Sequence, residues 1–388
     1  MKKKTIAVFT TSRADFGTLK PFIQRLAKDK FWSYQIFAGG SHLAFETGRT
    51  LNEIFDSKLK ITSQFDFLLN DDSPESLTKS LGIEEIELSN IFKCHNFDFV
   101  CILGDRYELL PIVSAAILFH KPIIHISGGE ITEGVIDEQI RHMVTKASHI
   151  HFTYTEEYRK NIIKLGEEKW RVFNTGALGV DNLQIQRPIS KSKLFDELNL
   201  DVNRPLVMFT LHPVTINTAI SPINQISSVF EALENFDFQV LVTAPNVEVG
   251  RKEVYDYIKR KVEVNQNYRF INSLGEHRYN SIIPHCLFVI GNSSSGIVYV
   301  PYFKVPTINI GDRQKGRIQH PSIINTDFNK DNIKNTIKIA ISDNFRKSVN
   351  KMKYKFGDGN ASQKMVDALN KVCNRKDLMI KKLVFENE

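Results

Sequence analysis

Short runs of apolar residues alternate along the chain with longer segments whose apolar residues recur every three or four positions. A short apolar run bounded by polar or glycine residues predicts a buried strand, and the longer periodicity predicts an amphipathic helix. Strands are predicted at residues 5–10, 34–38, 97–103, 122–126, 149–153, 172–174, 207–210, 239–243, 286–290 and 307–310, and near Phe270. Helices are predicted between them, among others at residues 74–95, 108–119, 156–165, 221–234, 248–262 and 276–283. This alternation indicates an α/β fold with parallel sheets.

The alternation occurs twice, and a polar stretch containing Pro188 separates the two halves. With 388 residues the chain is also long for one domain. We therefore predict two doubly wound, Rossmann-like domains that face each other across a cleft. The predicted boundaries are residues 1–183 for the first domain, 184–203 for a linker, 204–365 for the second domain and 366–388 for a C-terminal helix or tail.

Composition and charge narrow the class of protein. With 42% hydrophobic and 24% charged residues the chain is typical of a soluble globular protein, and no apolar run is long enough to span a membrane. The formal net charge of +7 suits a phosphate-bearing substrate or simply favours solubility, and its dispersed distribution argues against nucleic acid as a partner. The four cysteines show no CxxC spacing and no signal-peptide pattern is present, so we predict a reduced, cytoplasmic setting.

Ionisable side chains follow the predicted strands of the first half where each strand ends. Asp105 and Arg106 come directly after one strand, Glu130 follows the next, and Asp137 and Glu138 lie in the first turn of the helix after it. Because the carboxyl ends of parallel strands meet at one edge of a sheet, we predict that these groups converge on one crevice. Clustered carboxylates suit acid/base catalysis because like charges push their pKa values apart.

Two further positions in the first half are candidate ligand contacts. Arg13 lies between the first strand and an apolar helix, where a cation and helix N–H groups together form an anion site. The alternative is a capped helix with a solvated arginine. His42 follows the next strand in a run of small residues, where an imidazole could approach a ligand.

The second half carries three polar segments directly after predicted strands. These are His212 in LHP, the small-residue loop Gly291-Asn292-Ser293-Ser294-Ser295-Gly296, and Arg313 in the cationic loop GDRQKGR. Backbone and hydroxyl donors of such a small-residue loop suit phosphate oxygens. No GxGxxG or GxxxxGK[ST] pattern occurs, and the serine loop has one residue too many for GxSxG, which argues against a serine hydrolase.

Taken together, the motifs also carry a resemblance. SRADFG, GDRYE, HISGGEITEGVIDEQIRH, LHP, GNSSSG and NIGDRQKGR occur in this order between Ser12 and Arg317. In combination they resemble the hydrolysing UDP-N-acetylglucosamine 2-epimerases, the family that serves sialic-acid and legionaminic-acid pathways. The resemblance implies a GT-B-like fold, a nucleotide-sugar substrate and a homodimer or homotetramer.

The resemblance also implies roles for individual residues. It implies contacts of His212, Ser293 and Ser294 with the diphosphate or uridine, of Arg13 and Arg106 with phosphates, and of Arg313 near the nucleotide. Two positions depart from the family pattern. Ser127 stands where several relatives have a catalytic glutamate, which leaves Glu130 as the carboxylate of that motif, and Tyr299 stands where relatives commonly have a glutamate that binds ribose.

In the reaction that the resemblance implies, the C2 proton leaves with the nucleoside diphosphate to give a glycal, and water and a proton then add. We assign Asp105 and Glu130 as the principal proton-handling pair, Asp137 or Glu138 as a further acid/base group, and His212 as an aid to the departing diphosphate. Arginines can meet the phosphate charge, so no metal or redox cofactor is required. A GT-B glycosyltransferase, a non-hydrolysing epimerase and a non-catalytic nucleotide-sugar sensor are the alternatives.

Overall fold

The computed structural model describes residues 3–44, 50–185, 187–214, 219–245 and 250–385. The strands are β1 (Lys4–Thr10), β2 (Trp32–Gly39), β3 (Ile61–Phe65), β4 (Phe99–Leu103), β5 (Ile123–Ile126), β6 (Ile150–Thr153), β7 (Val172–Asn174), β8 (Leu206–Thr210), β9 (Gln239–Thr243), β10 (Tyr268–Ile271), β11 (Cys286–Gly291), β12 (Thr307–Ile310) and β13 (Ile323–Thr326). The helices are α1 (Arg13–Lys28), α2 (Leu51–Asp56), α3 (Pro74–Cys94), α4 (Leu109–Leu118), α5 (Asp137–Ala147), α6 (Glu156–Lys164), α7 (Gly179–Ile185), α8 (Lys191–Glu197), α9 (Pro222–Leu233), α10 (Arg251–Val264), α11 (Gly275–Ile282), α12 (Ser294–Val298), α13 (Lys330–Ile341), α14 (Asp343–Lys351) and α15 (Ala361–Val372).

The first unit comprises Met1–Glu130, Ile136–Ile185 and Phe356–Glu388. Its seven strands form a parallel sheet in the order β3-β2-β1-β4-β5-β6-β7. The strand order reverses between β1 and β4, and in doubly wound sheets the crevice at the carboxyl ends of two such strands is where ligands bind. The segments that follow β1 and β4 therefore mark the expected site of this unit.

The second unit comprises Ile131–Val135 and Gln186–Lys355. Its six strands are also parallel, in the order β10-β9-β8-β11-β12-β13, and the order reverses between β8 and β11. Both faces of this sheet are covered, since Val207, Phe209 and Ile290 pack in one buried apolar cluster and Met208 and Val289 in another. Burial on both faces explains why the strands are continuous apolar runs in the sequence. The prediction of two Rossmann-like units with parallel sheets is confirmed.

Helix starts follow from capping residues in the sequence. Ser12, Ser73, Thr155 and Ser221 each precede a helix, and the side-chain oxygen of each accepts a hydrogen bond from a backbone N–H of the first turn. Such a bond satisfies one of the N–H groups that a helix leaves without an internal partner. The predicted helix at residues 248–262 begins among residues that lie outside the described part of the chain, and α10 covers the remainder.

Two strands, β3 and β13, are absent from the sequence prediction because they are edge strands of mixed composition. Each is an outermost strand of its sheet, and most of its residues are only partly buried. An edge strand with one solvated side does not need the apolar run by which a buried strand is recognised. Polar residues such as Ser63 and Asn325 interrupt the apolar pattern, so the sequence does not predict these two strands.

The unit boundaries differ from those predicted. The stretch 184–203, predicted as a linker, contains α8, whose Leu194 and Phe195 are buried in the core of the second unit. That unit ends at Lys355, whereas residues 204–365 were predicted to form it. The following helix α15 packs on α1, and the Asp181 carboxylate accepts hydrogen bonds of 2.8 Å from the first two backbone N–H groups of α15.

The C-terminal segment after α15 also belongs to the first unit. The buried Arg171 guanidinium donates to the backbone carbonyl oxygens of Leu378 and Ile380, at 2.8 and 2.6 Å. Lys381 pairs with the buried Glu167 carboxylate, and burial lowers the pKa of Lys381 to about 8. Among the described residues no helix combines the length and the apolar character that a membrane span requires.

Candidate active site

Arg141 lies at the centre of the ionisable cluster in the first unit. Its guanidinium is fully buried, and its Nε donates to Asp105 Oδ2 at 3.0 Å, while Nη2 bonds the same carboxylate. Nη1 donates to Glu138 Oε2 at 2.6 Å and to the backbone oxygen of Glu130 at 3.0 Å. Burial alone would lower the pKa of Arg141, but the charges of Asp105 and Glu130 raise it above its usual range, so the guanidinium stays charged.

Sheet register explains why these groups meet. Leu103, the last residue of β4, pairs with Ile126, the last residue of β5, so the two strands end level. Asp105 and the Ser127–Glu130 segment therefore leave the sheet side by side, and α5 supplies Glu138 and Arg141 one turn apart. The predicted convergence of Asp105, Glu130 and Glu138 is thus present in the structure, around an arginine.

Glu130 is buried and held by a short turn. Its Oε1 accepts a hydrogen bond of 2.6 Å from the Ser127 hydroxyl, and the residue is 1% exposed. Ser127 has a left-handed φ of 71°, and Gly129 has a φ of 78° at a point where a Cβ would overlap the Tyr158 carbonyl oxygen. A glycine is therefore required within this turn. Ser127, one of the two departures from the family pattern, serves here to orient Glu130.

The Arg106 guanidinium pairs with the buried Glu108 carboxylate. Its Nη2 donates to Glu108 Oε1 at 2.6 Å, and its Nε contacts both carboxylate oxygens at 3.2 Å. Asp15, in the first turn of α1, is close enough for its charge to interact with Arg106 and Glu108. Loss of solvent around Asp15 raises its pKa, and the Arg106 charge opposes that rise. The contact of Arg106 with phosphate stays a prediction.

Glu84 is a buried carboxyl close to this group. It lies in α3 on the same face as Leu88 and Ile91, which are core residues. Among the described residues neither of its carboxyl oxygens has a hydrogen-bond partner. Burial raises the pKa of Glu84 well above its usual range, and the charges of Glu108 and Glu85 raise it further. A carboxyl in these surroundings keeps its proton in the folded protein.

His42 is fully buried between two threonines. Its Nε2 and Nδ1 lie 2.9 Å from the hydroxyls of Thr10 and Thr50, and burial lowers the pKa of His42 to about 4. The neutral imidazole joins the end of β1 to the start of α2. This arrangement favours a structural role over the predicted ligand contact. Arg13, in contrast, is partly exposed at the first position of α1, as the predicted anion site requires.

Asn292 ties together three strand ends of the second unit. Its Oδ1 accepts from the His212 backbone N–H and its Nδ2 donates to the His212 carbonyl oxygen, both at 2.8 Å. Its own carbonyl oxygen accepts a hydrogen bond of 2.8 Å from Gln314 Nε2. At Gly291 a Cβ would overlap the Thr210 carbonyl oxygen, so only glycine allows β11 to approach β8 this closely. Asn292 thus positions the loops that follow β8, β11 and β12.

The serine loop presents some of its predicted donors and uses others internally. Ser293 precedes α12 and is partly exposed, and Ser294 is exposed. Ser295, however, accepts a 2.8 Å bond from the Tyr279 hydroxyl, and the Gly296 carbonyl oxygen accepts one of 2.9 Å from Thr307. The Ser293 hydroxyl also lies 3.0 Å from the Ser295 hydroxyl, but Ser293 keeps partial exposure, so Ser293 and Ser294 are the loop residues best placed to contact a ligand.

The cationic loop after β12 is partly buried. Arg313 is 7% exposed and Gln314 is 1% exposed. Lys315 lies on the surface and pairs with Glu133 at 3.1 Å, and the backbone N–H of Glu133 donates to the Lys315 carbonyl oxygen. Across the described part of the chain, no three His, Cys, Asp or Glu side chains are grouped as metal ligands would be.

Two parallel, doubly wound units, with clustered carboxylates at the strand ends of one and a serine loop at the strand ends of the other, define an α/β protein of GT-B-like fold. The profile of the family described as UDP-N-acetylglucosamine 2-epimerase matches residues 24–370. The chain belongs to the UDP-N-acetylglucosamine 2-epimerase family. This confirms the resemblance drawn from the motifs and supports a nucleotide-sugar 2-epimerase.

Individual relatives cover most of the chain. The GDP/UDP-N,N'-diacetylbacillosamine 2-epimerase (hydrolyzing) of Campylobacter jejuni is 36% identical over 331 residues, which are 85% of this chain and 86% of that protein. The polysialic acid biosynthesis protein P7 of Escherichia coli is 34% identical over 350 residues, 88% of this chain and 87% of that one. The crystal structure of UDP-GlcNAc 2-epimerase from Neisseria meningitidis bound to UDP-GlcNAc superposes with a TM-score of 0.80 at 18% identity, over 95% of this chain and 100% of that chain, and shows the same fold.

Several site residues were not identified from the sequence. The predicted site residues do not include Arg141, although its i,i+3 spacing from Glu138 places the two on one helix face. Glu84 lies at i,i+4 and i,i+7 spacing from Leu88 and Ile91, and that spacing would have flagged a carboxyl in an apolar stripe. Asp15 could have been flagged only by the three-dimensional fold.

The protonated state of Glu84 predicts how stability depends on pH. Because the pKa is raised in the folded state, the stabilisation is complete below the unfolded value of 4.5 and is lost as the pH rises towards the folded pKa. Glu84→Gln removes the titration and keeps the shape. We expect the unfolding free energy of Glu84→Gln relative to the native protein, followed through the thermal midpoint, to increase as the pH rises from 4.5 towards the folded pKa, by at most about 1.4 kcal/mol per pH unit. A difference in midpoint that is constant over this range would show that Glu84 does not hold a proton.

Proposed function

We propose that this protein is a hydrolysing nucleotide-sugar 2-epimerase, which converts a UDP-linked 2-acetamido sugar and water into the free 2-epimer and UDP. The observation that carries the proposal is the Arg141 cluster, which gathers two carboxylates and the Glu130 turn at adjacent strand ends. The relative from Campylobacter jejuni, which is named as hydrolysing, supports the hydrolytic outcome. A role in sialic-acid or legionaminic-acid biosynthesis is part of this proposal.

The chemistry needs proton transfer on both faces of one sugar ring. In the first step the C2–H bond and the C1–O bond break, which gives UDP and a 1,2-unsaturated sugar. In the second step water supplies a hydroxyl to C1 and a proton to C2 from the opposite face. Since no carbonyl group acidifies the C2 proton, stabilisation of the departing diphosphate must lower the barrier.

We assign proton transfer to the first unit. Asp105 is held as a carboxylate by two bonds from Arg141, so it is the group we assign as base. Glu130, oriented by the Ser127 hydroxyl, is its partner on the other face of the ring. Glu138 accepts a bond from the same Arg141 guanidinium and lies 3.0 Å from His142, and Asp137 is the first residue of the same helix. Either Asp137 or Glu138 could therefore relay a proton to solvent.

We assign the nucleotide to the second unit. Ser293 and Ser294 offer hydroxyl groups at the end of β11, and Arg313 offers a largely desolvated cation at the end of β12. His212, positioned by Asn292 at the end of β8, is the group we assign to the leaving diphosphate. Charge-assisted bonds from partly buried donors are stronger than those from exposed ones, which suits a diphosphate in the transition state.

The experiment that tests the function is proton NMR of the purified protein in heavy water. We would supply UDP-N,N'-diacetylbacillosamine first, because the relative at 36% identity is named for that sugar, and then UDP-GlcNAc and the GDP-linked counterpart. We expect free UDP and a manno-configured sugar that carries deuterium at C2. Deuterium in a sugar still attached to UDP would indicate a non-hydrolysing epimerase. Intact, undeuterated nucleotide sugar in every case would reject the proposal and favour a glycosyltransferase.

The assigned proton-handling pair predicts a distinctive kinetic result. Asp105→Asn and Glu130→Gln should each lower kcat by about 100-fold to 10,000-fold, the usual contribution of a general acid or base. UDP binding, measured by calorimetry, should change only a few-fold, because the nucleotide is assigned to other residues. Glu75→Gln, a change at an exposed carboxylate of α3 that pairs only with Lys79 in the contacts described, is the control and should leave kcat unchanged. Near-normal turnover in either test variant would remove that residue from the mechanism.

We further propose that the protein forms a homodimer through the outer face of α3, α4 and α5. Ile86, Leu118 and Met143, one on each of these neighbouring helices, are 64%, 72% and 59% exposed. Exposed apolar side chains on adjacent helices are typical of an interaction surface. A homotetramer would require a second surface of this kind.

Light scattering coupled to gel filtration tests the dimer. We expect a mass twice that of the 44.5 kDa chain for the native protein, and a shift towards the single-chain mass for Leu118→Glu. Val264→Glu alters an apolar residue that is 82% exposed on α10 in the second unit and should not change the mass. A native protein with the single-chain mass would refute the dimer.

A further inference from the structure

His125 is a fully buried ionisable residue to which the mechanism above gives no role. It lies in β5, two residues before the Ser127–Glu130 turn. Its Nε2 is 2.8 Å from the carbonyl oxygen of Gly104, the residue that immediately precedes Asp105. Its Nδ1 is 3.3 Å from the hydroxyl of Thr145, which lies in α5 one turn after Arg141. The imidazole thus contacts both elements that form the Asp105–Arg141 pair.

The direction of these hydrogen bonds fixes the protonation of the ring. A carbonyl oxygen can only accept, so Nε2 carries the hydrogen and donates it to Gly104. Burial lowers the pKa of His125 to about 3, so the ring is neutral and Nδ1 has a free electron pair. The Thr145 hydroxyl therefore donates to Nδ1. Both nitrogens are used, and each sets the position of one segment of the site.

The same ring also supports the Glu130 turn. A Cβ placed on Gly128 would lie 3.0 Å from His125 Nδ1 and 3.1 Å from Cε1, so the backbone of the turn rests directly on the imidazole. Gly104 has a left-handed φ of 84°, and its own N–H bonds the Ile126 carbonyl oxygen at 2.9 Å. Both backbone groups of Gly104 are therefore held by β5, and the direction in which Asp105 leaves the sheet depends on these two bonds.

A neighbouring histidine shows that burial alone does not create this arrangement. His151 in β6 is the register partner of His125, is equally buried, and has its ring centroid 6.5 Å away. Its Nε2 faces Glu167 at 3.4 Å instead of a backbone group of the site. The two histidines are equally buried and lie at paired positions of adjacent strands, but their partners differ. His125 contacts the segments that carry Asp105 and Arg141, whereas His151 contacts Glu167.

We propose that His125 is a positioning residue of the epimerase, whose Nε2–H bond to Gly104 and contacts with Thr145 and Gly128 hold Asp105, Arg141 and the Glu130 turn in one geometry. The proposal rests on the proposed function for its kinetic consequence. The geometry itself can be measured without any reaction.

The geometric test uses the Nε–H of Arg141, which donates to Asp105. In protein labelled with ¹⁵N-arginine, this hydrogen should exchange slowly with water and give a sharp signal, assigned by its loss in Arg141→Lys. We expect His125→Leu to shift this signal and speed its exchange at least about 10-fold, because Asp105 is no longer held in place. His125→Gln, whose amide can donate to Gly104, should restore most of the native signal. His151→Leu, the matched control, should leave the signal unchanged.

The kinetic test separates positioning from a general loss of stability. His125→Leu should lower kcat about 100-fold with little change in KM, since misplacing a catalytic group by about 1 Å has an effect of that size. His125→Gln should recover to within about 10-fold of the native kcat, and His151→Leu should lower the thermal midpoint without lowering kcat. Equal losses of kcat in His125→Leu and His151→Leu, or an unchanged Arg141 signal in His125→Leu, would overturn the inference.

Two further outcomes remain decisive. If the native protein has no epimerase activity, the proposed function fails, and the Arg141 signal alone still decides whether His125 positions the ion pair. If His125→Leu does not fold, Thr145→Val takes its place, because it removes only the hydroxyl that donates to Nδ1. An Arg141 signal in Thr145→Val identical to that of the native protein would then reject the inference.

Discussion

The buried guanidinium of Arg141 is the interaction on which the first unit's site depends. A charge without solvent is costly unless opposite charges and hydrogen bonds surround it, and removing one partner from such a pair typically destabilises a protein by about 3–5 kcal/mol. Asp105, Glu138 and the Glu130 carbonyl oxygen meet this requirement. The same contacts that allow the arginine to be buried also bring together the Asp105 and Glu138 carboxylates and the backbone of the turn that carries Glu130. Stability and site geometry therefore have a common origin here.

The second unit reaches a similar result with a neutral side chain. The Asn292 side chain bonds the backbone N–H and the carbonyl oxygen of His212, and the backbone carbonyl oxygen of Asn292 accepts a bond from Gln314, so this one residue joins the loops after three strands. Fixed loops at the carboxyl ends of a doubly wound sheet are what ligand binding requires. In both units the residue that organises the site is buried, and the residues assigned to the ligand or the reaction lie around it. A search for exposed polar residues alone would therefore miss both Arg141 and Asn292.

Much of the fold follows from apolar runs, because buried parallel strands leave a strong pattern and capping serines mark the helix starts. The edge strands β3 and β13 escaped because they need no such pattern. The catalytic candidates Asp105, Glu130 and Glu138 could be predicted from their positions after strands, since strand ends of a parallel sheet converge. Their partners could not. That His42 lies against Thr10 and that Asn292 bonds the backbone of His212 are consequences of contacts between segments 32 and 80 residues apart in sequence. The Arg106–Glu108 pair, in contrast, is local, since the two residues are only two positions apart.

The attachment of α15 and the C-terminal segment to the first unit has a consequence for synthesis on the ribosome. Asp181 accepts bonds from the first two N–H groups of α15, Trp32 donates a 2.7 Å bond to Asn370, and Arg171 is surrounded by carbonyl oxygens of the segment after α15. These partners are translated after the whole of the second unit, which ends at Lys355. During elongation the second unit can therefore complete its sheet first. Until α15 and the segment after it emerge, the first unit lacks the carbonyl oxygens that bond Arg171, and the surface that α15 covers stays exposed. A nascent chain that stalls before Ala361 would expose that surface to chaperones and proteases even though every strand of both sheets had already been made.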